Sequence, residues 1–334
     1  MAPSASSAGA PSTSRCCSPV GRIVVISNPR SGRNKRDPEL ARRLRALLDP
    51  PHLLLEPEDP AHSDALAAEL LSAGDLDILC VNGGDGTLAH VLSSVARVVG
   101  DRPMPTIGVL RGGTMNTIAH GIGLRGRPPA ILRRILARHA RGEPQPTTTR
   151  HLMRVRDGLG PDRYGFLFGN GVISNFLELY YEGGDPSPAK AARLLVRALL
   201  SGMVGGRLAR RLTAPTPMTV SLDGQRWAPE AYMAVAAGTV DDLGFGFKGF
   251  WAVTRHLGSL QALGVTCSPF ALALRIPGTL WGRPWNHPGI IDQLGRTLVV
   301  EGHGPQSYMI EGDFHRGGQR IEVGVGPPVR LICR

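Results

Sequence analysis

Between residues 22 and 140, short unbroken apolar runs alternate with segments of helical periodicity, and this alternation restricts the fold more than any other feature. The runs are RIVVIS (22–27), HLLLEP (52–57), LDILCVN (76–82) and TIGVL (106–110). Continuous apolar runs of this length are expected of strands buried on both faces of a parallel sheet. Between them, PELARRLRALL (38–48) puts Leu40, Leu44, Leu47 and Leu48 on one helical face. HSDALAAELLSAGD (62–75) is expected to be a second helix, with Ser63 or Asp64 as its N-cap. TLAHVLSSVARVVG (87–100) repeats Leu88, Val91, Leu92, Val95, Val98 and Val99 at helical spacing. The order implies an open parallel sheet with right-handed crossovers, in which ligands sit at the carboxyl ends of the strands. The polar clusters at 28–36, 82–87 and 111–117 all fall at such ends.

The character changes after about residue 145. GEPQPTTTR (142–150) looks like a linker. It is followed by HLMRVR, RYGFLFGNGVI, MTVSLDG, AYMAVAAGTV, TLVVEGH, SYMIEGD, RIEVGV and VRLIC, strand-like runs separated by turn formers. They predict a mainly antiparallel second domain. Two helices are expected to interrupt it, at 187–205, with basic residues on its polar side, and at 250–263. The expected division is a disordered tail at 1–20, an α/β domain at 21–147, a β domain at 148–315 and closing strands at 316–334.

With 334 residues the chain is long enough for two cores. Its net charge of +11 allows an anionic partner, but only Lys35, Lys190 and Lys248 among its 38 basic residues are lysines, an arginine skew that composition alone can produce. Neither a zinc-finger cysteine spacing nor an RNA-binding aromatic signature is present, so nucleic acid is not the expected partner. The five cysteines form no disulfide or metal framework, which points to a reducing, cytoplasmic setting. The sequence contains no run of eighteen apolar residues of the kind that spans a membrane.

In NGGDGT (82–87), Gly83, Gly84 and Gly86 let the backbone approach a ligand, and a helix N-terminus follows at Thr87. Asp85 would repel a bare phosphate unless a divalent cation or a reacting hydroxyl lay between them. A carboxylate beside a phosphate nest points to metal- or base-assisted phosphoryl transfer. The motif is neither a Walker A loop nor GxGxxG, and taken alone it also describes a tight turn.

Read together, NPRSGRNK at 28, NGGDGTLAHV at 82 and IGVLRGGTMNTIAHGIG at 107 have the order and spacing of the diacylglycerol-kinase-type lipid kinases, a family that includes sphingosine and ceramide kinases. The closing segment YMIEGDFHRGGQRIEVGVGPPVRLI (308–332) resembles the end of that family's sequences, so the resemblance spans roughly 22–332. It implies a phosphofructokinase-like open α/β nucleotide-binding domain and a β-sandwich-like lipid domain whose chain end returns to the first. It implies ATP and Mg²⁺ as cofactors. By the same resemblance Asn28, Arg30, Ser31, Gly32 and Arg33 form a first nucleotide loop, and Gly83, Gly84, Asp85, Gly86 and Thr87 the loop over the phosphates. Gly113, Thr114 and Asn116 form a third contact, Asp85 stands near the metal, and Asp313, with Glu311, stands at the place of the base. The substrate implied is a lipid hydroxyl at a membrane surface, reached by peripheral contact with the inner membrane face. The basic helix at 187–205 and the arginines of 125–141 are candidates for that contact. Relatives often form homodimers.

The departures from the family pattern fall on acidic positions. His90 and Thr117 replace carboxylates, Arg111 replaces a proline, and the closing Asp-Gly-Glu is inverted to Glu311-Gly312-Asp313, which shortens the base by a methylene. His90 is expected at a helix surface or core edge. Arg111 is open between a solvated charge and a phosphate contact. An NAD kinase-like enzyme, which shares GGDGT, and a catalytically weak binding member of the fold are the alternative readings.

Overall fold

The computed structural model describes residues 21–182, 212–243 and 246–334, together with 197, 206 and 207. The tail at 1–20 and, apart from 197, the helix expected at 187–205 lie outside the described residues. The first half runs β1 (Arg22–Ser27), α1 (Gly32–Arg36), α2 (Leu40–Arg45), β2 (Leu53–Leu55), α3 (Pro60–Ser72), β3 (Leu76–Asn82), α4 (Asp85–Val99), β4 (Thr106–Val109), α5 (Thr117–Gly121) and α6 (Pro128–Ala140). The second half runs β5 (Thr147–Arg156), β6 (Arg163–Gly165), β7 (Leu167–Gly171), α7 (Val172–Glu182), β8 (Thr216–Leu222), β9 (Gln225–Arg226), β10 (Ala231–Tyr232), β11 (Ala234–Gly238) and β12 (Leu260–Val265). It closes with α8 (Pro269–Thr279), β13 (Ile290–Gly295), β14 (Thr297–Gly302), β15 (Ser307–Ile310), β16 (Asp313–Arg316) and β17 (Arg320–Ile332).

The first four strands are parallel in the spatial order β2-β1-β3-β4. The order reverses between β1 and β3, and in open sheets a crevice forms outside the carboxyl ends at such a point. β1, β3 and β4 are buried almost throughout. The sheet does not end at β4. The last residues of β17 lie parallel to it, with Leu331 opposite Ile107. The first residues of β17 pair antiparallel with β14. Its other flank carries β5, with a register break between Val325 and Pro328 at a point where proline has no N–H to give. One strand thus joins the parallel and antiparallel parts edge to edge. A second, wholly antiparallel sheet, β13-β12-β11-β7-β15-β16, faces the antiparallel part. Met153, Val220, Val300 and Val323 from one sheet and Phe168, Val235, Ala262 and Tyr308 from the other fill the space between, so the second half is a sandwich.

Several local expectations are corrected. The segment 250–263 is not a helix: residues from 250 form turns, Gly258 has φ +83°, and β12 follows. Every residue of β12 is buried between β11 and β13, and pairing on both edges overrides a weak helical period. α3 begins earlier than 62. Asp59 is its N-cap, accepting from the His62 N–H at 2.8 Å, with Pro60 in the first turn. Ser63 sits inside α3, and Asp64 instead pairs with Arg97 and Ser94 of α4. α2 is shorter than 38–48, and the last residues of the expected linker, from Thr147, already belong to β5. α4 starts two residues before Thr87, at Asp85 itself.

Candidate active site

Three loops meet at the carboxyl ends of β1, β3 and β4. Asn28 N–H donates to the Asn82 carbonyl at 3.0 Å, which ties the first loop to the end of β3. Asn28 Nδ2 donates to Thr87 Oγ1 at 2.9 Å, and its Oδ1 accepts from the Arg30 N–H at 2.9 Å. Asn34, buried beneath this loop, donates to the carbonyls of Asn28 and Asn82 at 2.6 and 3.1 Å. The second and third loops touch backbone to backbone. A Cβ built on Gly113 would stand 2.3 Å from Gly84 Cα, so this crossing requires glycine. Asn116, at φ +52°, fastens the third loop from below: its Oδ1 accepts from the Gly113 N–H at 3.0 Å and its Nδ2 donates to the Gly113 carbonyl at 2.9 Å.

The result is a cleft of about 780 Å³. Of the residues expected at a nucleotide site, Asn28, Arg30, Ser31, Gly32, Gly84, Gly86, Thr87, Gly113, Thr114 and Asp313 line it. Gly83, Asp85, Asn116 and Glu311 stand behind that lining, and Arg33 lines a separate cleft with Arg43, Arg127 and Arg133. Gly84 is the N-cap of α4 and carries no side chain to satisfy the first-turn N–H groups. A fifteen-residue helix therefore presents its amino end to the cleft, a favourable place for an anion.

Asp85 is not aimed freely at the cleft. Its two oxygens accept from the Thr117 and Ile118 N–H groups at 2.9 and 3.3 Å, so the carboxylate of α4 holds the first turn of α5. Burial nevertheless raises its pKa, against the lowering effect of those bonds. The inverted Glu311-Gly312-Asp313 also has a structural explanation. Glu311 and Gly312 lie at φ +51° and +87° and join β15 to β16 as a two-residue hairpin, in which glycine suits the second position. Glu311 Oε1 accepts from the Phe166 and Leu167 N–H groups at 2.5 and 2.8 Å, tying the hairpin to the β6–β7 connection. Desolvation, with the nearby Asp85 and Asp313 charges, pushes its pKa up to about 8. Below the hairpin, Tyr308 donates to the buried Asp157 at 2.7 Å, and Arg163 donates to the same oxygen at 2.7 Å.

The hairpin delivers Asp313, and not Glu311, to the cleft. Asp313 Oδ2 would lie 2.6 Å from a Cβ on Gly86, so the carboxylate rests directly over the Gly83–Thr87 loop. Asp313 is exposed at the cleft surface but flanked by protein, and desolvation raises its pKa while His90 opposes the shift. His90 is more than a core-edge residue: it lines the cleft, and its buried Nε2 has no hydrogen-bond partner. Sequence reasoning also missed Glu56, Pro57, Glu58, Asp59 and Ser63, which form the opposite wall. EPEDP follows β2, and the carboxyl-end rule that located the other loops would have located this one. Arg111, at φ +59°, lies against His120 at 3.0 Å and does not line the cleft.

Among the described residues no group of three or more His, Cys, Asp or Glu is placed to hold a metal ion. Mg²⁺ needs no such cage when phosphate oxygens and water complete its shell. The Asp85 and Asp313 carboxylates both raise the pKa of Glu311, and a site with that much negative charge fits a cation held by one or two carboxylates.

These features are brought together by a known domain. Residues 22–143 match the diacylglycerol kinase catalytic domain. The match runs from β1 through α6 and contains all three loops. The structure is similar to a diacylglycerol kinase from Bacillus anthracis str. Sterne, with a TM-score of 0.60 and 16% identity over 94% of this chain and 97% of that one. Two further diacylglycerol-kinase-type structures from that organism give TM-scores of 0.65 and 0.62 at 17% and 15% identity, with the same coverage. At such identities the likeness is one of fold, and it extends over both sheets. No curated protein sequence matches the chain.

The two acidic residues of the hairpin separate experimentally. Glu311→Gln keeps the acceptor for Phe166 and Leu167 and is expected to retain phosphotransfer, whereas Asp313→Asn is expected to lose roughly a hundredfold. Comparable losses in both would show that Glu311 takes part in the chemistry. Stability should separate them too. A carboxyl whose folded pKa is about 8, against 4.5 for an ordinary glutamate, binds its proton more tightly in the fold. The native state is then favoured at acid pH and loses that advantage as pH rises towards 8. Melting curves from pH 5 to 9 should show a falling Tm that Glu311→Gln flattens.

Proposed function

We propose that the chain is an ATP-dependent lipid kinase, transferring the γ-phosphoryl group of ATP to the hydroxyl of a diacylglycerol or sphingoid-type lipid. The observation that carries this reading is the Asp313 carboxylate lying over Gly86 at the amino end of α4. There the phosphates would meet the N–H groups of the helix start, and Asp313 would accept the proton as the lipid oxygen bonds to phosphorus and the bond to the leaving ADP oxygen breaks. Desolvation raises the pKa of Asp313, which favours its taking up a proton, and the neighbouring His90 opposes that shift. Asp85 orders the third loop through α5 and is the carboxylate suited to hold Mg²⁺, which when bound would neutralise phosphate charge. The acceptors at Glu56 and Glu58 suit the sugar and base end of the nucleotide. A bilayer substrate calls for peripheral contact with a membrane. No helix among the described residues is long and apolar enough to cross one.

Labelled ATP with diacylglycerol, sphingosine, ceramide and monoacylglycerol tests the reading, with products identified by mass. A phosphorylated lipid is expected, with its formation dependent on Mg²⁺. Normal ATP binding without product from any lipid would overturn it. NADP formed from NAD in a parallel coupled assay would replace it with the NAD kinase-like reading.

A further inference from the structure

α8 carries its apolar residues on the wrong side for a helix packed only on its own protein. Phe270, Leu274, Pro277 and Trp281 follow at spacings of four, three and four, which places them in one narrow stripe of the helix and its last turn. The opposite side, with Leu272 against the core and Thr279 buried, faces the molecule. The stripe faces solvent: Phe270 is 73% exposed, Leu274 65% and Trp281 71%. Five of the ten exposed large apolar side chains among the described residues lie between 270 and 281, the others in that interval being Ile276 and Leu280. Exposed apolar surface concentrated in this way marks an interaction site.

The charge around the stripe identifies the partner. From residue 243 to 291 the sequence contains no Asp or Glu, but it has Lys248, Arg255, Arg275 and Arg283. Lys248 is bound to the end of α8, its N–H donating to the Thr279 carbonyl at 2.9 Å. Arg283 lies over the Trp281 ring, 5.8 Å from its centroid. An apolar stripe with an indole at its end and cations at its flanks, in a stretch of sequence without a carboxylate, matches an anionic lipid surface: side chains enter the acyl boundary, the indole sits at headgroup level and the cations meet phosphates. We propose that α8 is a membrane-docking helix that seats the protein on anionic lipid. Trp285, just past α8, donates from Nε1 to the Gly249 carbonyl at 2.8 Å, and Asp242 Cβ lies 3.7 Å from where a Cβ on Gly121 would stand, at the end of α5, whose first turn Asp85 holds. As a route to a lipid substrate the proposal rests on the lipid-kinase reading, but its test measures binding alone.

Flotation of the full chain with vesicles of phosphatidylcholine, with and without phosphatidylglycerol, provides the test. The protein should float with the anionic vesicles, and the emission of Trp281 should shift to the blue, a shift absent in Trp281→Phe. Leu274→Glu, which exchanges an exposed residue and so leaves folding intact, should lower the bound fraction about tenfold. Arg275→Gln with Arg283→Gln should weaken the preference for phosphatidylglycerol. Folded wild-type protein that stays in the soluble fraction with both vesicles, or Leu274→Glu protein that floats as well as wild type, would overturn the proposal. So would a dimer that Leu274→Glu converts to monomer without any vesicle binding, since a second copy would then cover the stripe. Intact flotation in a protein that phosphorylates no lipid would support docking and count against the kinase reading alone.

Discussion

Asp85→Asn should reduce phosphotransfer by roughly a hundredfold or more, the scale of losing one preorganised electrostatic group from a phosphoryl-transfer site. The carboxylate accepts from two backbone N–H groups at once, those of Thr117 and Ile118. An amide must turn its NH2 towards one of them, which leaves donor against donor in a buried position. The first turn of α5 then loosens, and with it the third loop, which Asn116 ties through Gly113. The negative charge available to a cation disappears as well. The expected pattern is a fall in kcat with a smaller change in ATP affinity, checked by initial rates and by calorimetric titration of the nucleotide. Wild-type turnover in Asp85→Asn would mean that the carboxylate serves only to cap α5 and that phosphoryl transfer does not depend on its charge.

The second large effect belongs to Gly113→Ala. The added Cβ would meet Gly84 Cα at 2.3 Å and Gly84 N at 3.1 Å. Both are backbone atoms, so no side-chain rotation relieves the overlap, and the two loops must part. A cost of about 3 kcal/mol is expected, the upper end for overpacking a well-filled site. Parting the loops also displaces the amino end of α4, so nucleotide binding should fail even in the fraction that folds. Thermal melting with and without ATP checks both: Tm should fall by several degrees, and the stabilisation that nucleotide gives the wild type should vanish. An unchanged response to ATP would show that the Gly84–Gly113 crossing is not part of the nucleotide site.

Much of the first sheet was legible from residue pattern because its signals are local. β1, β3 and β4 are unbroken apolar runs, and the polar residues that end them had to lie at one edge of a parallel sheet. The failures came where local signals compete with distant pairing. LGSLQAL has enough helical period to suggest a helix, yet β12 is held on both edges by strands far from it in sequence. The antiparallel runs were visible singly, but nothing local revealed that β17 bridges β4 and β14 and makes one sheet continuous. Ser63 was a reasonable cap by type. Asp59 took the position because Pro60 is suited to the first helical turn.

For the site, the sequence by itself determined that glycine-bearing loops gather at one edge of the parallel sheet and that Gly84, Gly86, Thr87 and Gly113 belong to them, since the backbone requirements of such loops are written in residue type and order. Only the tertiary structure decided how the acidic residues divide their work. Asp85 turns to the amides of α5 and Glu311 to those of Phe166 and Leu167, so that of these three only Asp313 lines the cleft, beside His90. A carboxylate's partners are chosen by which backbone N–H groups the folded chain brings within hydrogen-bond distance, and here those groups lie from 32 to 145 residues away along the chain.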